Sequence, residues 1–357
     1  MRLLLVTDAW EPQVNGVVST LRRTCQELIS IGVTIERISP EQFITVPCPS
    51  YPEVRLAPFA YGAIQKTLKQ FAPDAVHIAT EGPLGIAARA ACLNSRMRFT
   101  TSYHTRFPEY VRARWPIPLA VSYGYMRWFH DAAAYTMVAT PSLERELLAR
   151  GFRRLRRWSR GVDTQLFHPC EADESPHTEP VFIYLGRVSV EKNVEAFLAL
   201  PLPGKKVVIG DGPARATLQQ RFPEVTFTGT LRGETLVRTL SAADVMVFPS
   251  RSDTFGLVIL EAMACGVPVA AYPVTGPIDV IEHGTTGWLS ENLREAALRA
   301  LSLNRATCRR TAEQNSWQIA TGQFLNNLVP SRKIVRSRVR HFARSRRSGV
   351  QHVNPAR

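Results

Sequence analysis

Apolar and polar positions fall into a repeating pair along the first half of the chain: a short unbroken apolar run, then a longer stretch with helical spacing. LLLV at 3–6 precedes a helical pattern over 17–31, and VTIERI at 33–38 and AVHIA at 75–79 follow. RFTTSYH, ending at His104, continues the rhythm with a helical stretch over 120–133 and TMVAT at 136–140. Pro141 and Ser142 then open a helix whose first turn holds Glu144 and Glu146. Such alternation predicts βαβ units around a parallel sheet that closes near residue 165.

The pattern then lapses at CEADESPHTE, an acidic, proline-punctuated stretch with little to bury, which reads as a linker over 169–180. A second alternation starts with VFIYLG at 181–186 and a helix from about Lys192, then KKVVIG, a helix from Pro213 and VTFTG. DVMVFP at 244–249, a helix over 255–265, VPVAAY at 267–272 and helices between 291 and 328 complete it. The expected organisation is therefore an N-terminal α/β unit over 1–168, a C-terminal α/β unit over 181–329 and a tail over 330–357. The apolar stretch 255–274 carries Glu261, Gly266, Pro268 and Pro273, so it reads as helix, turn and strand rather than a membrane span.

Composition narrows the class. Six scattered cysteines, with no C-x-x-C pair, argue against a disulfide scaffold or zinc module and fit a reducing cytoplasm. The opening MRLLLVTDAW lacks the long apolar core of a signal peptide. The net charge of +14 is uneven: residues 145–160 hold seven arginines, and 332–357 hold nine Lys or Arg and no acid. Such clusters suit an anionic partner, a membrane surface or a nucleic acid.

Ligands of open α/β sheets bind beyond the carboxyl ends of the strands, so the loops there carry the candidate chemistry. Arg187 and Lys192 lie just past the strand 181–185, where two cations would hold a phosphate; read alone they are equally solvated surface charges. The loop after strand 244–249 runs through Asp253, Thr254, Phe255 and Gly256 into LVILEAMACG, whose first amides are free to bind an anion. Asp253 reads either as a helix N-cap or as an acceptor for sugar hydroxyls. Glu261, inside an apolar stripe, is costly to bury without a partner and so points to a ligand. Gly16, after the first strand, is a turn glycine or a point of close approach to a phosphate, and His104 a structural or a substrate-facing histidine. Neither D-x-D, nor the Walker pattern, nor a full dinucleotide fingerprint occurs, so metal-dependent, phosphoryl-transfer and nicotinamide chemistry lose support.

The run SRSDTFGLVILEAMACGVPVAA, with GRVSVEKNVE, VVIGDGPAR, FTGTL, SAADVMVFPS and GTTGWL, resembles the retaining glycosyltransferases of family 4, which have the GT-B fold. TDAWEPQVNGVVSTL and TSYHTRFPEYV are similar to the branch with GDP-mannose-dependent mannosyltransferases and glycosyl and sulfoquinovosyl diacylglycerol synthases. The resemblance implies two Rossmann-like domains facing a cleft, with the nucleotide-sugar donor on the C-terminal side. It makes Arg187 and Lys192 the pair on the donor pyrophosphate and puts His104 near the reacting sugar. Gly16 and the amides of Phe255, Gly256, Leu257 and Val258, with Thr254 beside them, face the donor. Asp253 and Glu261 match the family's E-x7-E acids on sugar and ribose, with Asp in place of the first Glu.

It further implies transfer of a hexosyl group, with GDP-mannose as the first donor to test, to a lipid or glycolipid acceptor, and needs no cofactor or metal. Alternatives are a UDP-sugar donor with a diacylglycerol acceptor or a saccharide in polysaccharide assembly. Leu147, Leu148, Phe152, Leu155 and Trp158 among the arginines of 145–160 suggest a face lying on an anionic bilayer, at the inner side of the cytoplasmic membrane; a solvated helix and strand is the other reading. No recognition module supports specific nucleic-acid binding.

Overall fold

The computed structural model describes residues 1–13, 15–48, 51–170 and 179–332. The N-terminal unit runs β1 (Arg2–Val6), α1 (Gly16–Ser30), β2 (Thr34–Ile38), the hairpin β3 (Val46–Cys48) and β4 (Tyr51–Leu56), α2 (Tyr61–Phe71), β5 (Ala75–Ile78) and α3 (Pro83–Asn94). It continues through β6 (Thr100–Tyr103), α4 (Phe107–Arg114), α5 (Leu119–His130), β7 (Tyr135–Val138), α6 (Pro141–Ala149) and β8 (Leu155–Arg157). The second unit runs β9 (Val181–Leu185), α7 (Val194–Leu198), β10 (Lys205–Ile209), α8 (Arg215–Arg221), β11 (Thr226–Gly229), α9 (Gly233–Ser241) and β12 (Val245–Phe248). Then come α10 (Leu257–Ala264), β13 (Val269–Ala271), α11 (Pro277–Val280), β14 (Gly287–Leu289), α12 (Leu293–Ala300), α13 (Arg305–Glu313) and α14 (Trp317–Asn327).

Each unit holds a six-stranded sheet, ordered β2-β1-β5-β6-β7-β8 and β11-β10-β9-β12-β13-β14, and every pairing within them is parallel. Both are doubly wound because the chain leaves the first strand of the unit in one direction and returns on its other side. The reversal falls between β1 and β5 in one sheet and between β9 and β12 in the other. Strand residues such as Val181–Leu185 are buried along their whole length, as helices on both faces require. The stretch 255–274 is α10 and β13, and no helix among the described residues is long and apolar enough to cross a membrane.

Three expectations need correction. Sequence order places the last helix with the C-terminal sheet, but α14 packs on the N-terminal unit, where Phe324 joins Leu3, Leu5 and Trp158 in one apolar cluster. Burial of such a ring is worth about 1.5–3 kcal/mol, and the backbone reinforces it: Arg98 donates to the Ser331 carbonyl and Ser331 to that of Asp74, both at 2.7 Å. The apolar residues of 145–160 are not a bilayer face. Leu147, Phe152 and Trp158 are core, so the spacing that looked amphipathic marks an inner face, leaving only Leu148 exposed among the large ones. The helix expected from Lys192 is broken: Val190–Lys192 is a 3-10 turn ended by Asn193 in the left-handed region (φ 54°), and α7 starts after it. The bulk of the expected linker, 171–178, and the tail 333–357 lie outside the described residues.

Candidate active site

The loops after β1, β6, β9 and β12 meet at one place between the units. Asn15 caps α1 by accepting from the amides of Val17 and Val18, both at 3.0 Å, which fixes Gly16 as the first helical residue. A Cβ built on Gly16 would lie 3.6 Å from Leu257 Cδ1, so the start of α1 faces the start of α10 across the cleft. At the end of β6, the His104 carbonyl accepts from the Thr254 hydroxyl at 2.7 Å, a second contact between the units. A third is the α6 start, where the Ser142 amide donates to Asp279 at 3.0 Å.

On the C-terminal side, the turn after β9 brings the Lys192 ammonium onto Asp253 Oδ1 from the loop after β12. Burial opposes the charge on Lys192, yet the Asp253 carboxylate outweighs it and holds the ammonium above its ordinary pKa. Lys192 is thus no solvated surface charge; nor is Asp253 the N-cap of α10, a position held by Gly256. The second oxygen of Asp253, Oδ2, is buried without a hydrogen-bond partner. Such an acceptor is costly unless a ligand completes it.

Gly256 has a φ of 88°, and a Cβ there would meet Ile259 Cδ1 at 2.8 Å; only glycine lets the chain turn this sharply into α10. Because no side chain caps α10, its first amides stay available. Phe255 is buried beneath the loop, and Leu257 and Val258 pack on the C-terminal core. One helical turn on, Glu261 sits among apolar neighbours that push its carboxyl up to about 7 by burial. Arg187 directly follows Gly186 at the end of β9, its carbonyl accepting from the Tyr184 hydroxyl at 2.7 Å.

The N-terminal side is built differently. His104 is buried with Nε2 2.8 Å from Ser102 Oγ and Nδ1 3.1 Å from the Arg160 guanidinium. A guanidinium can only donate, so Nδ1 accepts and the ring proton sits on Nε2, toward Ser102. Burial, then the charge of Arg160, holds the His104 pKa well below 6.5, and the ring is neutral. Ser102 also lies 3.1 Å from His77 Nε2, and burial lowers His77 to about 3. Arg160, itself buried and drawn down to about 9, donates to the carbonyls of Trp158 and Ser159 at 2.5 and 3.0 Å.

Sequence reasoning missed four residues here. Arg160 had been counted only as part of a basic run. Asp8 ends β1 and accepts from the amides of Leu84 and Gly85 at 2.9 and 3.3 Å, fixing the start of α3; its position at a strand end in apolar surroundings was the available signal. Tyr110 on α4 hydrogen-bonds Ser252 of the other unit, close enough to feel the charges of Lys192 and Asp253, and burial raises its hydroxyl pKa. Arg114, one turn further, donates to Glu191 at 3.0 Å. Helical spacing puts both on one side of α4, but nothing local tells which side meets the second unit.

Residues 14–166 match the family described as Glycosyltransferase Family 4, and residues 179–303 match Glycosyl transferases group 1. The chain is 31% identical to the sulfoquinovosyl transferase of Arabidopsis thaliana, over 89% of this chain and 70% of that protein. It is 30% identical to a GDP-mannose-dependent alpha-mannosyltransferase of Mycobacterium tuberculosis (strain CDC 1551 / Oshkosh), over 81% and 83% of the two chains. Its fold is similar to that of the sucrose-phosphate synthase from Thermosynechococcus elongatus, with a TM-score of 0.72 at 20% identity over 91% of this chain and 97% of the other. Anabaena HepE in complex with UDP-glucose gives a TM-score of 0.69 at 16% identity, over 91% and 98%. With two facing doubly wound sheets and these similarities, the chain is a glycosyltransferase of the GT-B fold and belongs to glycosyltransferase family 4.

Proposed function

We propose that this glycosyltransferase moves a hexosyl group, mannose from GDP-mannose, onto a lipid or glycolipid acceptor at the inner face of the cytoplasmic membrane, retaining the anomeric configuration. The observation that carries the donor site is the Lys192–Asp253 pair beside the uncapped start of α10, with one buried Asp253 oxygen unpartnered. In this reading Lys192, Arg187 and the amides of Phe255 to Val258 hold the donor diphosphate. They take up its growing negative charge as the bond to the sugar carbon breaks and the nucleoside diphosphate leaves with the electron pair. Asp253 Oδ2 accepts from a hydroxyl of the transferred sugar, Glu261 from the ribose, and His104 lines the sugar from the opposite unit. Two cations and a helix start supply the positive charge, so the reaction proceeds without a metal.

Named relatives support the lipid acceptor. One is 27% identical to this chain over 315 residues and is called an alpha-monoglucosyldiacylglycerol synthase, from Streptococcus pneumoniae (strain ATCC BAA-255 / R6). Incubation of the purified protein with GDP-mannose or UDP-hexoses and a membrane-lipid extract tests the proposal, with NMR of the purified product. An α-mannosyl lipid is expected. Transfer from UDP-sugars alone overturns the donor, a β-linked product overturns retention, and transfer only to soluble saccharides overturns the acceptor.

A further inference from the structure

A cluster of exposed large apolar side chains lies on the α4–α5 hairpin, away from the basic segment expected to meet a membrane. Phe107, Trp115, Ile117, Val121 and Trp128 are all more than a third exposed, Val121 reaching 63% and Trp128 48%. Val121, Gly124 and Trp128 recur at helical spacing on the outside of α5, while Tyr123, Met126 and Phe129 on its inside are buried. The helix thus carries large apolar side chains on both faces, and on the outer one Val121 and Trp128 stay exposed although Arg89 stacks on Trp128. A soluble surface gains nothing from two exposed tryptophans, whereas a bilayer interface accommodates the indole ring at the headgroup level.

The surroundings select the kind of interface. Residues 81–131 carry seven arginines and three acids: Glu81 lies 3.1 Å from His130, Glu109 accepts from the Tyr123 hydroxyl at 2.6 Å, and Asp131 caps α5 at the surface; Arg106 and Arg114 pair with Glu146 and Glu191. Arg89 lies 4.0 Å over the Trp128 ring, and the Tyr125 ring links Trp128 (5.8 Å) to Phe107 (6.4 Å), so cation and aromatics form one strip. Arg112 on α4 is exposed beside it. Arg89, Arg112 and Arg127 outnumber Asp131, the one exposed acid of this segment, and an apolar stripe with that excess of cations fits an anionic lipid surface.

The opposite side of α4 carries Tyr110 and Arg114 onto Ser252 and Glu191 of the donor side. One helix thus has its outer end in the apolar strip and its inner side against the proposed donor pocket. We infer that the α4–α5 hairpin is the surface through which this enzyme docks on an anionic bilayer, presenting the cleft to an acceptor still embedded in the lipid. The inference rests on the lipid-acceptor reading for its purpose, but stands on the hairpin itself for its place.

The full-length protein is tested by flotation with vesicles of phosphatidylcholine, with and without phosphatidylglycerol. The doubly substituted Val121→Asp and Trp128→Asp protein and the milder Trp115→Gln serve as variants. In parallel, nucleotide-induced thermal shifts report folding, and sugar transfer to a detergent-dispersed lipid reports the acceptor reading. The expected result is binding confined to anionic vesicles and weakened about tenfold or more by the double substitution, with a smaller loss for Trp115→Gln and with thermal shifts unchanged. Equal binding of wild type and variants overturns the assignment by moving the contact elsewhere, for example to the basic tail. Absent binding of the wild type also overturns it, as does a wild-type dimer in light scattering that the same substitutions dissociate. Vesicle binding lost in the variants, with no transfer to any lipid, would leave the surface standing and remove the lipid acceptor.

Discussion

Across the cleft, two walls handle buried polarity in opposite ways. On the C-terminal wall Lys192 and Asp253 form a charged pair that leaves one carboxylate oxygen unpartnered, and the amides of α10 are uncapped. On the N-terminal wall, both ring nitrogens of His104 are taken by Ser102 and Arg160, and only its carbonyl reaches across, to Thr254. The first wall leaves a buried acceptor and uncapped helix amides that a ligand could complete; the second joins a neutral imidazole to the charged Arg160 guanidinium and fixes the ring in place. Under the proposed function, charge stabilisation of the leaving group and positioning of the sugar are separable, one on each side.

Substitutions should separate them. The largest effect is expected from Lys192→Ala, which removes the cation on the leaving diphosphate: kcat/KM should fall roughly 100–1000-fold and nucleotide binding should weaken with it. His104→Ala should lower turnover about 10–100-fold while the nucleotide-induced thermal shift survives, if His104 lines the sugar's side of the cleft as proposed, away from the diphosphate. Loss of nucleotide binding in His104→Ala would break the division of labour.

A smaller effect tests Glu261. Its carboxyl is raised in the folded protein to about 7 from an ordinary 4.5, so stability is fully present below about 4.5 and declines as pH rises through 7. Glu261→Gln should therefore melt higher than wild type at pH 8, by at least about 2–4 °C, with the gap closing toward pH 4.5. Nucleotide should stabilise the wild type more strongly above pH 7 than below it, and this pH dependence should vanish in the variant. The smallest expected effect is none: excess chelator should leave turnover unchanged, since in the proposed mechanism Arg187, Lys192 and the α10 amides carry the charge that a metal would otherwise supply.

The difference between the walls also governs what the sequence disclosed. The C-terminal wall is local: Arg187 and Lys192 follow β9, and Asp253 through Glu261 run from the loop after β12 into α10, so the sequence shows them as two groups, while the family resemblance supplies the role that spacing leaves open. The resemblance puts Gly256 in the donor-facing segment, and the structure adds the reason a glycine stands there, a φ of 88°. The N-terminal wall is assembled from distance. Arg160 reaches His104 from 56 residues away, and its arginine-rich neighbourhood disguised a buried residue as surface charge. The same disguise made Leu147, Phe152 and Trp158 look like a membrane face, since periodicity marks a side without saying whether core or solvent lies beyond it. Likewise, α14 follows the C-terminal helices in sequence, yet Phe324 fits only the gap beside Leu3 and Trp158.

The most direct test of the central claim is the thermal stabilisation of the purified protein by GDP, UDP and ADP, and by their sugars, in wild type and Lys192→Ala. A shift confined to one nucleotide series, largest for GDP, and abolished in the variant is the predicted result. A shift that survives in Lys192→Ala, or none with any nucleotide in the wild type, would contradict the assignment of the donor diphosphate to this wall.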